Sequence, residues 1–396
     1  MKGNVIVGQS GGPTSAINSS LAGVYRTAID RGAKKVYGMR HGIQGLLEEK
    51  YIDLSEHIRN ELDEELLKRT PAAYLGSCRY KLPEIHENPE IFEKIFGILD
   101  KLEIECFIYI GGNDSMDTIK KLSDYAIVKG YTTKFIGVPK TIDNDLALTD
   151  HTPGYGSAAK YIGTSTKEII RDSNALEYGK GLVTVIEIMG RNAGWLTGAA
   201  ALSKGEDCEG PDLIYLPERP FDEEQYLRDV QKLIEEKRGV VVVASEGLKD
   251  KDGKPIVEPV FQVGRATYFG DVSAHLANLV IKRLGYKARS EKPGLLGRAS
   301  IALSSDVDRA EAILAGEEAV RAACAGESGK MVGFIRESAS PYKVRTTLID
   351  VHDVMLVEKK MPDAYINEAG NGVTQAFLDW CAPLIGEPLG RLISLR

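Results

Sequence analysis

Short β-branched runs alternate with longer amphipathic stretches along this chain, the pattern of a mainly parallel sheet flanked by helices. Asn4 to Val7 is predicted as a buried strand, followed by a Gly-Gly turn and a helix from about Thr14 to Arg31 that stops at Gly32. Lys35 to Met39 reads as a second strand. Ile104 to Ile110 reads as a third, again closed by Gly-Gly, with a helix from about Met116 to Lys129 behind it. Phe135 to Val138 is a fourth and runs directly into Pro139. Leu182 to Met189, Leu213 to Leu216 and Gly239 to Ala244 are further strands, with helices near residues 156–171, 193–203 and 222–237 between them. Glu48 to Leu67 is charged and reads as helical, and Gly247 to Pro255 reads as an exposed turn.

A length of 396 residues exceeds what a single core usually holds, so two domains, or one large sheet plus a cap, are expected. Apolar residues make up 43% and charged residues 27%, which excludes wholesale disorder. With 57 acidic against 50 basic residues the net charge is −7. That balance argues against non-specific binding to nucleic acid or a membrane surface, yet permits a locally basic pocket for a small anion. Five scattered cysteines without a CxxC spacing predict neither a disulfide framework nor a structural zinc. The apolar run Val5 to Val7 is too short for a signal core, and nothing approaches the ~18 apolar residues of a membrane span, so a cytoplasmic location is expected.

Candidate chemistry gathers where strands end. Three glycine turns follow strands: Gly11-Gly12, Gly111-Gly112-Asn113-Asp114-Ser115 and Met189-Gly190-Arg191. Such turns offer free N–H groups and a helix-dipole end to a phosphate, all on one edge of a parallel sheet. None fits GxGxxG or GxxxxGK[ST], so the familiar nucleotide fingerprints are absent. Pro139-Lys140-Thr141-Ile142-Asp143-Asn144-Asp145 follows an apolar strand. Its two aspartates repel one another, which can raise one pKa and favour a proton acceptor. Lys140 can neutralise a phosphoryl group in transit. Arg79, Lys81, Arg191, Arg289 and Arg298 add cations beside glycines or in short motifs, which suits a pair of phosphorylated ligands. No two of the six histidines stand at metal-ligand spacing.

Taken together, Ser10-Gly11-Gly12, Gly76-Ser77-Cys78-Arg79, Gly111 to Ser115, Pro139 to Asp145, Met189-Gly190-Arg191 and Ser245-Glu246-Gly247 resemble the phosphofructokinase family, in its order, from residue 5 to about residue 310. The resemblance implies two α/β lobes. A donor-binding lobe would comprise 1–154 plus roughly 297–345, and a sugar-phosphate-binding lobe 155–296 plus the C-terminal tail. Asp143 matches the proton acceptor for the 1-hydroxyl of fructose 6-phosphate. Thr141, Ile142, Asp143, Met189, Gly190, Arg191, Glu246, Leu295 and Arg298 match sugar-phosphate positions, and Arg191 also stands with Asp143, Lys140 and Asp114 among the catalytic positions the resemblance implies. Arg289 matches an arginine that reaches the neighbouring subunit's site, which implies a homo-oligomer, dimer or tetramer. Gly11, Gly12, Arg79, Tyr80, Lys81, Gly112 and Ser115 match the donor site, and Asn113 and Asp145 match the Mg²⁺ site.

Asp114 and Lys140 stand where ATP-dependent members usually carry glycines. This pair resembles the pyrophosphate-dependent branch, with Asp114 filling the α-phosphate space and orienting Lys140. Both substrates would then be phosphate compounds, pyrophosphate and fructose 6-phosphate. An ATP-dependent phosphofructokinase and a non-catalytic sugar-phosphate-binding subunit are the alternatives. Asn113 replaces a usual aspartate, Leu295 a usual His or Tyr, and Ala22 an effector-site arginine. Lys180 is the nearest cation to an arginine that is missing before the Met-Gly-Arg strand. The tail past about residue 310 carries no evident chemistry.

Overall fold

The computed structural model describes residues 1, 3–176, 179, 181–263, 266–355 and 358–393, so Lys180 lies outside the described residues. The strands in chain order are β1 (Asn4–Gln9), β2 (Val36–Met39), β3 (Tyr51–Asp53), β4 (Ile104–Gly111), β5 (Lys134–Pro139), β6 (Leu182–Ile188), β7 (Leu213–Tyr215), β8 (Gly239–Ser245), β9 (Pro259–Val263), β10 (Ala266–Phe269), β11 (Lys287–Glu291), β12 (Lys330–Ala339) and β13 (Tyr342–Asp350). The chain divides into two compact units, residues 1–158 with 298–359 and residues 159–297 with 360–396.

The first unit is built on a seven-stranded sheet of order β13-β12-β5-β4-β1-β2-β3. Its five central strands are parallel, and β13 and β3 close the edges antiparallel. Both faces are covered, which explains why β1 and β4 are apolar at successive positions rather than at every second one. Val5, Val7, Ile108 and Ile110 pack with the helices Ile17–Asp30 and Asp306–Cys324 on one face. Ile6, Phe107 and Phe135 pack with Pro89–Lys101 and Asn113–Lys129 on the other.

One expectation needs correction here. The charged stretch Glu48 to Leu67 is not one helix: it contains edge strand β3, paired antiparallel with β2, before a short helix Glu61–Arg69. The tail past residue 310 completes the first unit's sheet with β12 and β13.

The second unit carries an all-parallel sheet of order β11-β6-β8-β7, with β9 and β10 as a separate antiparallel pair. Val183, Val185, Val240 and Val242 pack against Tyr226, Val230 and Ile234 of helix Glu223–Lys237. Among the described residues no helix is long and apolar enough to cross a membrane.

Candidate active site

In the first unit, the carboxyl ends of β1, β4 and β5 deliver three loops to the same edge, because parallel strands all end on one side. Gly11 has φ 77°, a left-handed conformation that glycine adopts without strain, and a Cβ there would stand 3.1 Å from the Lys140 ammonium. The loop is fixed by backbone and hydroxyl contacts. Gly11 N donates to Cys78 O at 3.0 Å, Ser77 Oγ to Gly11 O at 2.6 Å, and Ser115 Oγ to Ser10 Oγ at 3.0 Å. Gly112 caps the helix Asn113–Lys129, placing Asn113, Asp114 and Ser115 in its first turn.

Lys140 is only 3% exposed and donates to Gly12 O at 2.6 Å. Burial pushes its pKa down to about 8. Asp143 and Asp145 pull it up, and the nearby Arg298 and Arg79 guanidiniums push it further down. Arg298 NH1 lies 3.3 Å from where a Gly12 Cβ would be, so this guanidinium belongs to the Gly12–Lys140 cluster. Its Nε is buried without a hydrogen-bond partner. Thr141 Oγ1 accepts from Asp143 N at 3.0 Å, which folds the chain so that Asp143 and Asp145 bracket Asn144. Asn144 adopts φ 53°, a conformation asparagine tolerates, and its buried amide makes no hydrogen bond at either atom.

The aspartate pair behaves differently from the expectation of mutual repulsion. Asp145 is raised chiefly by burial, and the like charge that adds to it is Glu358, while Thr141 and Lys140 ease it. Asp145 Oδ1 is buried without a hydrogen-bond partner, and Asn113 Nδ2 donates to Oδ2 at 3.1 Å. An orphaned carboxylate oxygen fits a hard divalent cation. Among the described residues no three His, Cys, Asp or Glu side chains form a metal cluster. So few protein ligands suit Mg²⁺, which keeps waters and takes phosphate oxygens. Asp114 does not orient Lys140. It pairs with Lys81 at 2.8 Å, both side chains exposed, because the helix's first turn faces the Arg79-Tyr80-Lys81 loop.

In the second unit, the ends of β6 and β8 are joined backbone to side chain. Glu246 N donates to Ile188 O at 3.0 Å, Gly190 N to Glu246 Oε1 at 3.2 Å, and Ser245 Oγ to Gly190 O at 2.7 Å. Gly247 is required there, since a Cβ would meet Arg191 O at 1.7 Å. Met189 and Gly190 are thereby held, and Arg191 projects exposed, its guanidinium 5.6 Å from the Phe269 ring centroid. Arg289 lies on edge strand β11, opposite Thr184, with Asp172 at a loose 3.9 Å. Leu295 is exposed to 65% and makes no polar contact.

Sequence reasoning missed Glu358 and Lys359, which pair with the Asp145 segment from far along the chain. It also did not single out His151, whose ring is clamped between two carboxylates. No local motif marks either.

A buried lysine among aspartates and glycine turns, at the edge of a parallel sheet, defines a phosphotransferase. The chain belongs to the phosphofructokinase family, which it matches over residues 4–323. A relative from Xanthomonas campestris pv. campestris, named pyrophosphate–fructose 6-phosphate 1-phosphotransferase, is 39% identical over 389 residues, covering 97% of this chain and 91% of its own. A sulfofructose kinase from Alkalicoccus urumqiensis is 34% identical, covering 97% and 96%. The crystal structure of a pyrophosphate-dependent phosphofructokinase from Nitrosospira multiformis superposes with a TM-score of 0.89 at 35% identity, covering 99% and 94%.

Proposed function

We propose that this chain transfers a phosphoryl group from pyrophosphate to the 1-hydroxyl of fructose 6-phosphate. The products are fructose 1,6-bisphosphate and phosphate, the reaction is reversible, and the cation is Mg²⁺. The observation that carries the reading is Lys140. Its ammonium is buried against the Gly12 carbonyl, beside Arg298 and two carboxylates, where ATP-dependent members usually carry glycine.

Asp143 accepts the proton of the 1-hydroxyl as that oxygen attacks. Lys140, Arg79 and Arg298 oppose the charge spread over the moving phosphoryl group, a contribution that is large because the site is partly desolvated. Gly11, Gly12, Gly112 and Ser115 present the glycine loops to the donor, with Tyr80 and Lys81 at its border. Asp145 and Asn113 would hold Mg²⁺, which when bound would neutralise phosphate oxygens. In the second unit Arg191 grips the sugar phosphate, Glu246 accepts sugar hydroxyls, and Met189 and Gly190 line the ring. Thr141 and Ile142, on the first unit's loop, are further positions that match the family's sugar-phosphate contacts. Arg289 serves the neighbouring subunit of a cytoplasmic homo-oligomer, and its exposure on an edge strand supports that role.

Steady-state rates with each donor test the reading. Pyrophosphate should support turnover and ATP should not. Asp114→Gly should admit ATP, since it opens the space and leaves the Lys81 ammonium free for an α-phosphate. Wild-type protein that prefers ATP would overturn the donor assignment, and no transfer from either donor would favour the non-catalytic subunit. Sulfofructose as acceptor reports whether the sugar's anionic group is read as phosphate.

A further inference from the structure

The loop from Asp145 to Thr152 is tied to the part of the chain past residue 310 at Asp145, Leu146, Thr149, Asp150 and His151. Lys359 N donates to Asp145 O at 2.9 Å, and Leu146 forms an antiparallel bridge with Glu358. Lys359 Nζ, on a half-buried side chain, donates to Thr149 O at 2.8 Å and also to Asp150 O. Asp150 N donates to Phe334 O at 2.9 Å, and Phe334 N donates to Thr149 Oγ1 at 2.9 Å. The Asp150 carboxylate accepts from Arg336 at 2.9 Å. His151 is held between Asp150 at 2.8 Å and Glu311 at 2.6 Å, and Tyr342 OH donates to Glu311 at 2.7 Å. These are costly arrangements: a half-buried ammonium and a buried imidazole–carboxylate pair persist only where their polar atoms are satisfied. A surface loop needs none of them to stay folded. A loop whose two aspartates must stand at fixed positions does.

We infer that Lys359 is a positioning residue for the phosphoryl-transfer site: its ammonium anchors the loop at Thr149 and Asp150, and with the backbone pairing at Asp145 this fixes the placement of the metal-binding carboxylate and of Asp143. The inference rests on the roles proposed above for those two aspartates. Lys359 acts at both ends of the segment, through its own N–H at Asp145 and through its ammonium at Thr149 and Asp150. Losing the ammonium loosens the far anchor while the backbone pairing at Asp145 remains. Misplacing a reacting group by about 1 Å costs on the order of 10²-fold in rate, and loosening a ligand's outer support costs about 10–100-fold in metal affinity.

The test compares wild-type enzyme with Lys359→Met and Lys359→Arg. In each, kcat, KM for fructose 6-phosphate and the Mg²⁺ requirement are measured. Binding of Mn²⁺ with pyrophosphate, without sugar, is followed by electron paramagnetic resonance. Lys359→Met should lower kcat by about 10–100-fold and weaken Mn²⁺ binding by at least about fivefold, with KM for the sugar within about twofold. Lys359→Arg keeps the charge but cannot seat it between the two carbonyls, and should fall between the two; it carries the test if Lys359→Met does not fold. Unchanged Mn²⁺ binding and kcat in a folded variant would overturn the inference, even if melting temperature dropped. Wild-type enzyme that shows no pyrophosphate-dependent transfer would instead overturn the underlying reading, while altered Mn²⁺ binding in the variants would still support the positioning role.

Discussion

The strand ends of the two units solve different problems. At the end of β5 the first unit buries Lys140, pushes its pKa down to about 8 and leaves an Asp145 oxygen without a partner. At the ends of β6 and β8 the second unit satisfies its acidic group with a backbone N–H and projects Arg191 into solvent. The first arrangement is held under electrostatic tension, which a reaction can use. The second is relaxed and shaped for grip. Chemistry and recognition are therefore separable by mutation, and each substitution below probes that separation.

Asp143→Asn should have the largest effect, lowering kcat by about 10²–10⁴-fold while sugar binding changes little. Near wild-type turnover would remove Asp143 as the proton acceptor. Lys140→Gly should follow, costing about 10²–10³-fold in pyrophosphate-dependent turnover. Because the useful form of Lys140 is the ammonium and its pKa lies near 8, kcat/KM should fall as pH rises through that value, by about tenfold per unit beyond it. Lys140→Arg keeps its charge at every accessible pH and should abolish that alkaline limb, which a pH–rate profile reads directly.

Arg191→Ala should act mainly on KM for fructose 6-phosphate, raising it by about 10–100-fold with a smaller change in kcat, since a lost charge-assisted contact costs about 1.5–3 kcal/mol. An equal fall in kcat would erase the distinction between the two strand ends. The smallest effect concerns stability. His151 is raised from 6.5 to about 9 by Glu311 and Asp150 against the cost of burial. Its ion pairing should thus stabilise the fold fully below about pH 6.5 and lose that contribution as pH climbs through about 9. Melting temperature should decline across this window in wild-type protein and less so in His151→Gln.

What was legible in the sequence follows physical rules. Strands β1, β4, β5, β6 and β8 are largely apolar on both faces and reach a glycine or proline at their ends or two residues beyond, so their type and approximate limits could be read. Three-residue β3 sits at an edge among charges, where neither alternation nor an apolar run survives. The Gly, Lys and Asp members of the site were readable because each falls just past a strand. The partners that tune them were not: Lys81 meets Asp114 and Glu311 meets His151 only through tertiary packing. Mutual repulsion of Asp143 and Asp145 was the natural inference from adjacency, but burial and Glu358 dominate.

The place of β12 in the first sheet bears on how the chain is made. Beside β5, the Phe135 amide waits for Ser328 Oγ across 193 residues, and Ile136 pairs with Lys330. During synthesis the whole of residues 159–297 emerges before that partner does. The nascent first unit therefore carries an open, apolar strand edge on β5 for the time it takes to translate the second unit, the condition under which edge-to-edge association competes with folding. Completion of the first sheet is a late, long-range event, and the second unit, whose strands all lie within residues 159–297, is free to form its sheet ahead of it.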